Sequence, residues 1–295
     1  MVANVSSPSV VNISDLRLLA KRRLPRMVFD YIDSGADREQ TLDQNCTAYN
    51  EIFFRPKCAV ATPSCDLNTS VLGQDFQLPF MLAPVGSSRL FYPKGEVVAA
   101  REAGIAGTGY TLSTLSGCRL EDVKQATQFP AWYQLYLLGG KDVALKTIDR
   151  AKNAGFSAIV VTIDTPISGL RERDLRNGTK ELLSRNPLKM WPYISQMLVK
   201  PCWLTQWLGD GGLMSFPNVE LENGPMGYTE IGPALEASVV TWEDLKWIKE
   251  AWGGKIVVKG VHIADDARKA VELGVDAITT GNHIWDQREI IQHIE

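Results

Sequence analysis

From Pro79 onward, short apolar runs alternate with helix-length stretches at a spacing of roughly 25 residues, and this repeat restricts the possible fold more than any other feature. Continuous apolar runs suit strands buried on both faces, as in a parallel sheet. The clearest is residues 158–163, AIVVTI, which is apolar except for Thr162 and stops at Asp164-Thr165-Pro166. Proline cannot donate to a sheet ladder, so the strand ends there. The spacing predicts strands at 79–83, 108–112, 131–136, 158–163, 255–259 and 276–280. It predicts helices at 95–106, 120–127, 142–154, 241–252, 264–273 and 286–294, with Thr241 as a cap and Asp244 at the third helical position. Gly155 and Gly274 follow helices and suit C-caps. Six βα units result, whereas a closed α/β barrel needs eight.

The flanks of this repeat read differently. Residues 1–12 are expected to be a flexible leader and 13–295 a single domain. Ser14-Asp15 predicts a helix cap, with the helix running to about Arg23. Pro25 starts a second helix to Tyr31, and a third covers 38–49. Residues 52–54 and 58–61 are expected to pair as a small hairpin. Residues 176–238 are too long for an ordinary βα loop and read as a lid-like insert. Its centre, NPLKMWPYISQMLVKPCWLTQWLG (186–209), holds three tryptophans, two methionines and two lysines. It suits either a lid packed over its own barrel or a surface resting on a membrane, with tryptophan at the interface and lysine on anionic headgroups.

Composition excludes several classes of function. A chain of 295 residues that is 45% hydrophobic and 22% charged can bury a substantial core. Its net charge of −3 gives no reason to expect nucleic acid as a partner. The five cysteines form no CxxC pair and no metal-ligand spacing, as expected of free thiols in a reducing compartment. The N-terminus lacks a signal-peptide pattern, and no apolar run is long enough to span a bilayer. The expected location is cytoplasmic, with 186–209 as the one route to membrane association.

Past the 158–163 strand, Arg171, Glu172, Arg173, Asp174 and Arg176 crowd between Gly169 and Gly178. Ligands in parallel α/β folds gather beyond the carboxyl ends of strands, so this cluster suits an anion site as well as a solvated charged loop. Seven motifs then occur in order: FDYIDSGA (29–36), LAPVG (82–86), TLST (111–114), WYQLY (132–136), VTIDTP with GLRERD (161–174), VVKGV (257–261) and NH (282–283). Together they resemble the FMN-dependent α-hydroxy-acid dehydrogenase and oxidase family, the group of glycolate oxidase, L-lactate dehydrogenase and mandelate dehydrogenase.

The resemblance implies a (β/α)8 TIM-type barrel with N-terminal helices and a long loop after the fourth strand, here without its last two βα units. It implies oxidation of an (S)-2-hydroxy acid of the lactate, mandelate or glycolate kind to the 2-keto acid through FMN. Pro84, Val85 and Gly86 are placed against the flavin ring, Ser113, Gln134 and Thr162 as its hydrogen-bonding partners, and Lys259 as the cation that stabilises the reduced flavin. Arg171, Tyr31 and Tyr136 would hold the substrate carboxylate, a job suited to a guanidinium and phenols. His283 would be the catalytic base, since imidazole suits neutral pH. His262 and His293 are expected to be structural. The electron acceptor is left open between oxygen, a quinone and a cytochrome, and a homo-oligomer is expected.

The pattern breaks near the end, in the divergent tail 279–295. Where the family carries Ser-Asn-His-Gly-Gly-Arg, this chain has Gly281-Asn282-His283-Ile284-Trp285-Asp286, with an acid in place of the arginine that holds the carboxylate. Little or no turnover is therefore expected from this chain, and a non-catalytic remnant of the same fold is the alternative. Residues 274–290 also resemble the Gly-Asn-His motif of calcineurin-like metallophosphoesterases. The upstream ligand clusters of that family are absent, so no metal site is expected. A junction product and a diverged, truncated homologue both account for such a tail.

Overall fold

The computed structural model describes residues 10–61, 64–165, 169–183 and 186–281. Three helices come first: α1 (Ile13–Arg23), α2 (Arg26–Asp33) and α3 (Gln40–Thr47). The cap of α1 is Asn12 rather than Ser14. Its Oδ1 accepts from the Asp15 amide at 3.0 Å, while the Asp15 carboxylate accepts from the Asn12 amide at 3.2 Å. The hairpin expected within 52–61 is not formed, and residues 52–61 are exposed without strand. A hairpin forms further on, from β1 (Thr69–Val71) and β2 (Gln74–Phe76). The reason is the turn: Leu72 and Gly73 both take positive φ (56° and 75°), which a tight hairpin requires and glycine adopts readily.

The βα repeat then follows: β3 (Met81–Leu82), α4 (Gly95–Ile105), β4 (Gly109–Leu112), α5 (Leu120–Gln125), β5 (Ala131–Leu135), α6 (Lys141–Ala154) and β6 (Ala158–Thr162). An insert comprises α7 (Glu172–Asn177), α8 (Thr179–Leu183), α9 (Pro187–Met190), α10 (Ile194–Leu198), α11 (Pro201–Gly209), the hairpin β7 (Ser215–Leu221) and β8 (Gly224–Gly227), and α12 (Ile231–Glu236). The repeat resumes with α13 (Trp242–Trp252), β9 (Lys255–Val261), α14 (Ala264–Glu272) and β10 (Ala277–Thr280). Thr241 and Asp244 form the expected capping box on α13. The helix expected at 286–294 lies outside the described residues.

Six strands form one parallel sheet in the order β10-β9-β6-β5-β4-β3, curled into an open half-barrel of the TIM type. Its two faces follow the period of two along each strand. Tyr110, Leu112, Tyr133, Leu135, Ile159, Val161, Ile256 and Val258 pack outward against α4, α5, α6 and α13. Trp132, Ala158, Val160 and Val257 point the other way, into a smaller apolar layer with Leu72 and Met81. The alternation continues to the strands' C-terminal ends, so Ser113, Gln134, Thr162 and Lys259 fall on the same concave side. Apolar residues fill the floor of this face and polar ones line its rim.

The insert is packed, as a lid would be. Trp203 and Trp207 stack with ring centres 5.3 Å apart, both buried, and the Trp203 indole N–H donates to the Leu90 carbonyl at 2.8 Å. Buried Asn218 in β7 accepts from the Leu120 amide at 2.9 Å and donates to the Cys118 carbonyl at 3.0 Å. Leu188, Trp191, Leu198, Val199 and Leu208 point outward, with Trp191 73% exposed.

Candidate active site

The rim of the concave face is a continuous buried polar row. Gln134 Nε2 donates to Thr162 Oγ1 at 3.0 Å, and Gln134 Oε1 accepts from the Thr114 amide at 3.2 Å and the Ser113 hydroxyl at 3.4 Å. Gln134 and Thr162 are 2% and 1% exposed, so each bond is made away from water. Thr162 pairs with Lys259 in the sheet register, which carries the row onto β9. Lys259 lies within that strand, which runs on to Val261.

The turn at Pro84, Val85 and Gly86 abuts the same row. A Cβ on Gly86 would meet Leu115 Cβ at 3.2 Å and Ser113 Oγ at 3.7 Å, so only a hydrogen leaves this contact relaxed. The next residue, Ser87, donates its amide to the Leu115 carbonyl at 2.8 Å. Val85 is exposed, and its carbonyl accepts from the Ser88 hydroxyl at 3.2 Å.

Tyr31 and Arg171 meet beside this turn. The Tyr31 hydroxyl donates to Ser87 Oγ at 3.5 Å, and the Arg171 guanidinium lies 4.7 Å from the Tyr31 ring centre. Tyr136 and Tyr31 belong to one buried apolar cluster, and the Tyr136 amide donates to Thr114 Oγ1 at 3.0 Å. Arg171 is the N-cap residue of α7, with its side chain turned inward. It donates to the Tyr31 carbonyl and, at 3.0 Å, to Ser34 Oγ, and it pairs with Asp174 at 3.1 Å. Burial raises the Asp174 carboxyl above its ordinary range despite the nearby Arg171 charge. His283 lies outside the described residues, as do Asn282 and Asp286, on which the metallophosphoesterase resemblance and the lost arginine rest.

Asp164, Gly260 and Tyr228, which the sequence did not assign to the site, join it, and so does His262. Asp164 follows β6 with its side chain 3% exposed, 3.9 Å from Lys259 Nζ on one side and 3.9 Å from His262 Nε2 on the other. Gly260 makes room for it, since a Cβ there would collide with the Asp164 carboxyl, and Gly260 has φ +95°. An acid directly past a strand's carboxyl end was the available signal for Asp164. His262, expected to be structural, thus faces a buried acid at the mouth. Tyr228, from the insert, packs edge-on to Tyr31 with ring centres 6.5 Å apart, and burial first, then Tyr31, pushes its hydroxyl pKa well up.

This donor set fits a flavin on structural grounds. A tight glycine turn, three aligned polar side chains and an ammonium share one face in an otherwise apolar sheet, as a flat ring with polar edges requires. Among the described residues no cluster of three metal-ligating side chains occurs.

Residues 20–284 match the FMN-dependent dehydrogenase family. An L-lactate dehydrogenase from Stenotrophomonas maltophilia (strain R551-3) is 37% identical over 279 residues, covering 92% of this chain and 71% of the relative. A Mycobacterium tuberculosis relative, also 37% identical, is covered over 65% of its length, so the chain spans about two thirds of these relatives. Among solved structures, a monotopic membrane protein, (S)-mandelate dehydrogenase, superposes with a TM-score of 0.84 at 29% identity, covering 93% of this chain and 72% of that one. A mandelate oxidase variant solved with an FMN adduct superposes with a TM-score of 0.72 at 30% identity, covering 93% and 69%.

Proposed function

The chain belongs to the FMN-dependent dehydrogenase family, and from that premise we propose that it serves the oxidation of an (S)-2-hydroxy acid of the lactate, mandelate or glycolate type to the 2-keto acid. The observation that carries this reading is the buried Ser113–Gln134–Thr162 row beside Lys259. FMN, if bound, would supply the two-electron acceptor for this oxidation. Pro84, Val85 and Gly86 with the Ser113, Gln134 and Thr162 row would hold its ring, and Lys259 would place a positive charge beside it.

By family resemblance, Tyr31, Tyr136 and Arg171 would hold the substrate carboxylate and His283 would take the proton. Arg171 now bonds to the Tyr31 carbonyl and Ser34, so gripping a substrate requires it to exchange those partners. Each charge-assisted bond formed in exchange contributes about 1.5–3 kcal/mol. Asp164 is the charge that holds both Lys259 and His262 at the mouth.

No helix among the described residues is long and apolar enough to cross a membrane. The outward Leu188, Trp191, Leu198 and Val199 support peripheral contact through 186–209 instead. Oxygen, a quinone or a cytochrome accepts the electrons in this reading, and the working form is a homo-oligomer. Titration with FMN, followed by anaerobic mixing with lactate or mandelate, tests it. Protein that stays colourless with excess FMN would remove the reading. Bleaching of the bound flavin at about 1 s⁻¹ or faster would show an active enzyme.

A further inference from the structure

Glu96, in the first turn of α4, is 0% exposed and lies behind the candidate flavin site. Its Oε1 accepts from the Ser88 amide at 2.9 Å and from the Gly117 amide at 3.1 Å. These two amides belong to different βα loops. One follows β3 and carries Pro84, Val85 and Gly86; the other follows β4 and carries Ser113. At their tips the loops also touch through the Ser87 amide on the Leu115 carbonyl and the Gly86 contact with Leu115 and Ser113. Gly117 is gripped from its other side too, because its carbonyl accepts from Arg89 Nη1 at 3.2 Å, and Arg89 also binds Asp210 at the end of α11. Glu96 Oε2 is buried, and burial first, then the Glu96 charge and its hydrogen bond with the thiol, push Cys118 up to about 12.

A carboxyl buried in a dry site is costly, and the cost is offset by the groups it holds together. We infer that Glu96 is a positioning residue for the flavin pocket: it fixes the distance between the 84–88 turn and the 113–117 loop, so that the Gly86 face and the Ser113 hydroxyl meet one ring at once. This rests on the FMN reading. Glu96 would act through the Ser88 and Gly117 amides that it bridges.

The variants are E96Q, E96D and E96A, compared with wild type in three measurements: FMN dissociation constant, absorbance spectrum of the bound flavin, and hydrogen exchange of the Ser88 and Gly117 amides. Glutamine keeps an oxygen able to accept twice, so E96Q retains affinity within about threefold. E96D and E96A cannot span both amides and weaken FMN binding by about 10- to 100-fold, with a shifted spectrum and fast exchange at both amides. E96D supplies the answer if E96A does not fold. Wild-type affinity, spectrum and exchange in E96D would overturn the proposal while leaving the FMN reading standing. Loss of affinity in E96Q equal to that in E96D would overturn it as well, since the charge and not the bridge would then matter. A wild type that binds no FMN removes both.

Discussion

Gln134 and Thr162, on adjacent strands, share a 3.0 Å hydrogen bond that lies wholly out of water on the concave face of the sheet. Gln134 also accepts from Thr114 and Ser113, so one side chain organises three strands' worth of polar groups. Gln134→Leu would strand the Thr114 amide and the Thr162 hydroxyl without their partner. We expect a loss of about 1–3 kcal/mol in urea unfolding, together with weaker FMN binding in the same preparation. Unchanged FMN affinity would place the flavin elsewhere.

Lys259→Met removes the ammonium beside Thr162 and its ion pair with Asp164. The bound flavin should become harder to reduce, with its midpoint lowered by about 30 mV or more, a tenfold change for two electrons. Lys259→Arg should recover part of this. Spectroelectrochemical titration reads the difference, and an unmoved midpoint in the methionine variant would contradict the assigned role.

The insert has two kinds of tryptophan. Trp203→Ala empties a buried stack and frees the Leu90 carbonyl, at a cost of about 3–5 kcal/mol. Trp191→Ser, at an exposed position, should change stability by no more than about 0.5 kcal/mol but reduce sedimentation with anionic vesicles. Equal vesicle binding by wild type and the serine variant would rule out Trp191 as a membrane contact.

Acid sensitivity should be traceable to Glu121. Partial burial alone would raise its carboxyl, but the hydrogen bonds from Arg150, at 2.9 and 3.0 Å, together with its own backbone amide, the Arg150 charge and Arg119, outweigh burial and hold it at about 2 against 4.5 for the free group. A depressed folded value contributes stability above 4.5 that is lost as pH falls toward 2. Glu121→Gln should therefore flatten the fall in melting temperature over that window and leave it parallel elsewhere. Identical slopes for both proteins would show that other carboxylates dominate.

The βα repeat was legible because its signals are local. Apolar runs such as 158–163, the glycines that close helices at Gly155 and Gly274, and the Thr241–Asp244 box each act within a few residues. The early hairpin was misplaced because 52–61 has the weak alternation of strands, whereas pairing was decided by positive φ at Leu72 and Gly73. Short helices in the insert escaped notice because each is stabilised by packing, as Trp203 is against Leu90, and not by its own periodicity.

By itself the sequence determined the order of the βα repeat, the alternation of faces along its strands and the family, since all three are written in residue type and spacing. Only the tertiary structure decided which side chains meet. Ser113, Gln134, Thr162 and Lys259 lie far apart in the chain, and parallel register alone brings them to one rim. Arg171 bonding to the Tyr31 carbonyl, Asp164 standing between Lys259 and His262, and Glu96 bridging Ser88 and Gly117 are likewise contacts across loops. Hydrogen bonds act over about 3 Å, a distance that sequence separation does not encode until the sheet has folded.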